Sequence, residues 1–235
     1  MGTIKKGILG GFSGKVGTVV GGSWNSISYM RSLADSYSDA KTERQVCQRG
    51  RFAAVVAFVK NIAPYLRVGF RNCEVGQSPY STATSFALKN AVTGCGKEAV
   101  VDFSKALVSQ GSLTGVADAA VEVAGGKASF TWTDNSGIGS AKATDAVMVL
   151  AYNKERQEAV YDLQAATRSE GTAELTLPAT WEDEALAVYL SFRSVDDSAV
   201  TRSVCLQDDE AVQEPGEESG GGTGEEGEGE EGTFG

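Results

Sequence analysis

Between Lys127 and Thr133 every second residue is apolar: Ala128, Phe130 and Trp132 alternate with Ser129, Thr131 and Thr133. A period of two predicts a half-buried strand. Gly125-Gly126 predicts a hairpin joining it to residues 120–124, and Asp134-Asn135-Ser136-Gly137 ends it with turn residues. β-rich runs recur at 145–152, 158–163, 172–177 (stopped by Pro178), 185–195 and 199–206. In 185–195, Leu186, Val188, Leu190 and Phe192 fall on one face and Tyr189 and Arg193 on the other. Short strands at this spacing, with no helical pattern between them, predict an antiparallel sandwich.

The period changes upstream. Val46, Val55, Val56, Val59 and Ile62, widened by Phe52 and Phe58, form the apolar stripe of a helix over about 41–62, capped at Asp39 and ended near Pro64. Residues 65–75 make an extended or short helical link. Ser78-Pro79 opens a second helix to about Val92, stopped by Gly94, with Tyr80, Ala83, Ala87, Leu88 and Ala91 facing inward. Val100–Val108 is expected to be a strand. At the start, glycines at 7, 10, 11, 14, 17, 21 and 22 punctuate strand formers. They predict a glycine-kinked hairpin, Lys15–Val20 against Ser23–Arg31, turning at Gly21-Gly22.

The fold class is therefore α+β, in three parts. Residues 1–98 hold a Gly-rich β-hairpin and two helices, residues 99–207 an antiparallel β-sandwich, and residues 208–235 a Gly/Glu tail. The tail cannot bury enough apolar area to offset its ordering entropy and is expected to be disordered. The sandwich resembles immunoglobulin and fibronectin type III modules at Trp132, Tyr152, Leu177-Pro178 and Tyr189. That likeness implies a fold and no activity, because such sandwiches host many functions.

Charge sharpens this picture. The chain has 235 residues and a net charge of −10. Residues 1–75 carry eleven Lys and Arg against four acids, whereas residues 208–235 carry eleven acids and no base. A basic start and an acidic end suit protein partners or other copies. The basic residues are too dispersed to favour nucleic acid. No apolar run approaches the ~18 residues of a membrane span, so no membrane insertion is expected. Gly7–Gly22 is too rich in glycine for a signal-peptide core, which leaves the cytoplasm, or an exported or virion-like assembly, as the expected location.

The candidate chemistry is sparse. There is no histidine, which removes Ser-His-Asp and Cys-His catalysis and histidine-bound zinc. Cys47, Cys73, Cys95 and Cys205 lack zinc spacing; they suit buried thiols, with a Cys73–Cys95 bridge open to an exported protein. Gly14-Lys15 lacks the first glycine and the Ser/Thr of a phosphate loop. Asp134, Asp145 and Glu158 are the candidate carboxylates for a hydrolase, and Asp134–Gly137 is a thin candidate for calcium. No cofactor is implied.

The opening Gly-Ile-Leu-Gly-Gly-Phe-Ser-Gly-Lys-Val-Gly, the Tyr29-Met30-Arg31 end of that segment and Lys41–Arg49 together resemble an uncharacterised Bacteroidota family. The likeness spans residues 1 to about 207 and implies an N-terminal signature joined to helices and a β-rich domain, with no biochemical role attached. The expectation is thus a non-enzymatic structural or interaction protein, able to self-assemble into a particle, appendage or phage-like structure. Trp24, Tyr29, Arg31, Arg44, Arg49, Trp181 and Phe234 are its candidate contact residues. A carbohydrate-binding module, with Trp24 and Trp181 as exposed stacking platforms, is the alternative.

Overall fold

The computed structural model describes residues 2–4, 10–24, 26–36, 38–74, 76–182 and 184–209. Asp208 and Asp209 of the expected tail are described, Asp208 closing the last strand; the rest of it, residues 210–235 with their expected disorder and the candidate Phe234, lies outside the described residues. The chain opens with β1 (Thr3–Ile4), β2 (Phe12–Val16), β3 (Val19–Trp24) and β4 (Ile27–Ser32), which form one antiparallel sheet in that order. Three helices follow: α1 (Glu43–Asn61), α2 (Ala63–Gly69) and α3 (Pro79–Asn90). A short ladder joins β5 (Val92–Thr93) to β6 (Val100–Val101). The rest is β7 (Ala117–Ala124), β8 (Lys127–Thr133), β9 (Ala146–Asn153), β10 (Glu158–Thr167), β11 (Thr172–Thr176), β12 (Leu186–Arg193) and β13 (Val204–Asp208). The fold is α+β, as the patterning predicts.

The C-terminal strands make two facing sheets, ordered β11-β8-β7 and β10-β9-β12-β13. The alternation on β12 divides as expected. Leu186, Val188, Leu190 and Phe192 enter the core between the sheets with Phe130 and Trp132, whereas Ala187 and Tyr189 point the other way. That other face is covered too. Val55, Phe58, Val59 and Ile62 of α1, Tyr65 and Leu66 of α2, and Ala83 and Ala87 of α3 share a second core with Met148, Leu150, Tyr152 and Tyr189. Helices, sheet and sheet are thus three layers, which is why β9 is buried at all eight positions.

Trp132 ties the sandwich together. Its ring meets Phe192 edge-on at 5.7 Å between centroids, and its indole N–H donates to the Arg168 carbonyl at 2.7 Å. Trp132→Ala is expected to cost about 3–5 kcal/mol, read from the urea midpoint at unchanged slope.

Several expectations need correction. The helix cap is Thr42, whose hydroxyl accepts from the Gln45 amide while the Gln45 side chain accepts from the Thr42 amide. Asp39 instead forms a two-pronged pair with Arg49 at 2.7 Å. The stop near Pro64 holds, since α1 ends at Asn61; Pro64 itself sits in the first turn of α2, where a missing N–H costs nothing, so the chain resumes as a helix after a bend of 84°. The stripe of α1 is buried only from Val55 onward; Val46 and Phe52 are exposed. The strand expected over 100–108 is just β6, because Asp102 starts a turn that accepts from Lys105. The last strand starts at Val204 rather than 199, since Thr201 and Ser203 spend their hydroxyls on Phe192, Val108 and Ser109.

Cys95 bridges to Cys47, not to Cys73, whose thiol donates to the Gln77 carbonyl at 3.3 Å. The bridge fastens the first turns of α1 to the 95–98 turn. Gly50 lies so close there that an added Cβ would stand 2.6 Å from the Gly96 Cα.

Candidate functional site

The N-terminal sheet is built differently from the rest. Its turns fall at Gly17-Thr18 and Ser26, and Gly21-Gly22 lie inside β3 rather than at a hairpin tip. The reason is steric. The Phe12 ring lies over Gly21, where a Cβ would come 2.5 Å from its edge, and the Tyr29 ring lies over Gly22 at 3.0 Å. A ring laid across a cross-strand glycine covers open backbone and pins register.

Residues opposite one another share a face. Trp24 opposes Ile27, Gly22 opposes Tyr29, and Val20 opposes Arg31, so these six line one face. The other face carries Phe12, Val19 and Met30, with Val16 beside Val19. Apolar side chains are exposed on both: Trp24 by 67 %, Ile27 by 63 %, Met30 by 70 %. Of thirteen large apolar residues exposed among the described residues, nine fall between Ile4 and Phe52. No residue of this sheet belongs to either buried core. Isolated exposed apolar residues are ordinary, whereas a two-faced concentration on one small sheet is not, and it makes this sheet the candidate site.

The sheet's independence gives a clean expectation. Gly21→Val would drive a side chain into the Phe12 carbonyl and ring. Hydrogen exchange over 12–32 should accelerate, while the denaturant midpoint of the remainder stays unchanged.

The structure brings Trp24, Tyr29 and Arg31 together on one face. It does not bring the other candidates there. Arg44 is exposed at the start of α1, and Arg49 is engaged by Asp39. Trp181 is only 4 % exposed and belongs to the core between the sheets, so it is no exposed platform for a sugar. It sits in the turn after Leu177-Pro178, where apolar burial outweighs the polar surroundings of Glu182 and Glu184.

The candidate carboxylates are scattered across different tasks. Asp145 is fully buried and accepts from the Arg168 Nε at 3.1 Å. Arg168, also fully buried, donates further to Asn135 Oδ1 and to the carbonyls of Thr114 and Gly115, and its guanidinium lies 4.0 Å from the Phe192 ring centre. Burial pulls this guanidinium below its ordinary pKa, and the adjacent Asp145 pushes it back. Asp134 accepts from the Ser136 hydroxyl and amide, which hold its carboxyl below the usual range. The Asp134–Gly137 turn thereby spends its oxygens on Ser136 and Arg168. Glu158 is exposed at the start of β10. Among the described residues no three of Cys, Asp and Glu gather as metal ligands.

One cleft, of about 1080 Å³, is lined by Phe58, Phe103, Tyr152, Lys154, Asp102 and Asp208. Its charges already answer one another: Lys154 Nζ meets Asp208 at 2.5 Å and the Asp209 carbonyl, and lies 5.1 Å from the Phe103 ring centre. Burial pushes the Tyr152 hydroxyl up to about 12, and the half-buried Cys205 thiol up to about 11. Both are poorly placed to act as nucleophiles near neutral pH. Arg168 carried no signal in the sequence, because a lone arginine after a strand looks like surface.

Residues 11–207 match a family model described as "Family of unknown function (DUF6266)". No curated protein and no solved structure matches the chain.

Proposed function

The chain belongs to this family of unknown function, and we propose that it is a non-enzymatic structural or interaction protein whose N-terminal sheet is the surface that meets other protein. One observation carries the reading: β1 to β4 form a sheet with apolar side chains exposed on both faces and no share in either core. Such a surface is costly to leave in water and cheap to cover with a complementary one. The body behind it acts as the mount. Its two sheets, ordered β11-β8-β7 and β10-β9-β12-β13, support an immunoglobulin or fibronectin III-like identity, because β8–β9 and β10–β11 both cross from one sheet to the other. The engaged state of Asp145, Asp134 and Lys154 supports a body without catalytic duty.

Sedimentation velocity of the full chain over a wide concentration range tests this. The Trp24→Ser, Ile27→Ser double variant should lose the association that the parent shows. Equal association in both would move the surface elsewhere and overturn the reading. A second reading, sugar stacking, draws on Trp24 and Tyr29 sharing one exposed face. Glycan-array binding abolished by Trp24→Ser would favour it.

A further inference from the structure

One edge of the N-terminal sheet is β4, which pairs with β3 on one side only; the other edge is the two-residue β1. The Leu33 amide donates to the Thr18 carbonyl at 2.7 Å, one step beyond the Val19–Ser32 pair. By alternation along the ladder, Ile27, Tyr29 and Arg31 turn their amides inward to β3, and Ser28, Met30 and Ser32 turn theirs outward. The strand has no proline, no bulge and no acid to block pairing, so it is an unguarded edge.

We propose that this edge pairs antiparallel with β4 of a second copy of the chain, about a two-fold axis at Tyr29. This rests on the reading of the sheet as the contact surface and names its occupant. The strand's own sequence argues for a copy. Outward amides can meet outward carbonyls only if Ser28 faces Met30 of the second copy or in registers shifted by two residues. With the axis at Tyr29, Ile27 faces Arg31 of the other copy and no charge faces itself. The register centred on Ser28 pairs only three residues of β4, that centred on Met30 leaves the apolar Ile27 without a facing residue of β4, and that centred on Arg31 sets guanidinium against guanidinium. Tyr29 then meets its counterpart as a non-hydrogen-bonded pair, the position where cross-strand side chains come closest. The Trp24, Ile27 and Tyr29 faces of both copies become one stripe on an eight-stranded sheet. Strand pairing alone buries less than the ~1,000 Å² of a durable interface, so the dimer is concentration-dependent.

The test uses the full chain with Cys73→Ser and Cys205→Ser, which leaves the Cys47–Cys95 bridge intact. Under mild oxidation Tyr29→Cys should give a reducible dimer on gels, and Ile27→Cys alone should not. Ile27→Cys combined with Arg31→Cys should link again. Met30→Pro removes one outward amide while sparing the ladder to β3, so it should weaken dimerisation about tenfold or more at unchanged far-ultraviolet dichroism. If Met30→Pro dimerises like the parent while Trp24→Ser, Ile27→Ser does not, the copies meet through the face and the edge pairing is wrong, although the contact surface stands. If neither change matters, the contact surface itself is wrong. A parent that stays monomeric throughout overturns the second copy as occupant and leaves the sheet to a foreign protein.

Discussion

Arg168→Met is expected to lower stability by about 3–5 kcal/mol, the range for stranding a buried charge by removing its partner. Asp145 is fully buried, and the Arg168 Nε is its ion-pair partner. The same change also releases the Thr114 and Gly115 carbonyls and Asn135, which Arg168 draws onto the end of the sandwich. The loss should therefore exceed that of Trp132→Ala in local effect, loosening 113–116 and 134–137 together. A double-mutant cycle separates charge from packing. Asp145→Leu with Arg168→Met removes both charges and should recover much of the loss, because a buried ion pair is often matched by apolar residues of similar volume. Urea melts of the four proteins give the coupling. A cycle in which the double change is as damaging as the two losses added would mean that Arg168 acts through its carbonyl contacts and not through Asp145.

The elements that could be read from the sequence are those with one wet side. On β8 alternate residues differ in polarity, so position and facing follow directly from pattern, whereas β12 is buried on both faces and its pattern alternates only large apolar residues with Ala, Tyr and Ser. The N-terminus of α3 was equally plain, with Ser78 and Pro79 at its start. The three-layer arrangement was not, because β9 is apolar on both faces and periodicity says nothing about what covers the second. The candidate surface was half legible. The sequence marks Trp24, Tyr29 and Arg31, but in it Gly21-Gly22 reads as a hairpin turn. In the structure those two glycines make room for rings from neighbouring strands, a contact that only the register reveals. Arg168 and the Cys47–Cys95 bridge depend on contacts distant in sequence and left no local mark.

The bridge has the second large expected effect. It closes a loop across a sequence separation of 48 residues, for which the chain-entropy account gives about 4 kcal/mol. Where that energy acts is set by burial. From Val55 onward α1 is held by the core shared with the strands, whereas Glu43–Arg49 has no buried side chain. The first turns are held instead by the capping box, the Arg49–Asp39 pair, the Gly50–Gly96 approach and the bridge. Cys47→Ser with Cys95→Ser should therefore act at two levels. The denaturant midpoint should fall by an amount equivalent to about 2–4 kcal/mol. Amide exchange should rise first in 43–50 and 94–98, and only later in the core half of the helix. Gly50→Ala offers an independent route to the same end, because its Cβ would push the 96 turn away and with it Cys95. Reductant should then destabilise the parent and leave the double serine variant unmoved. Equal sensitivity in both would show that the two sulfurs are not bonded in solution.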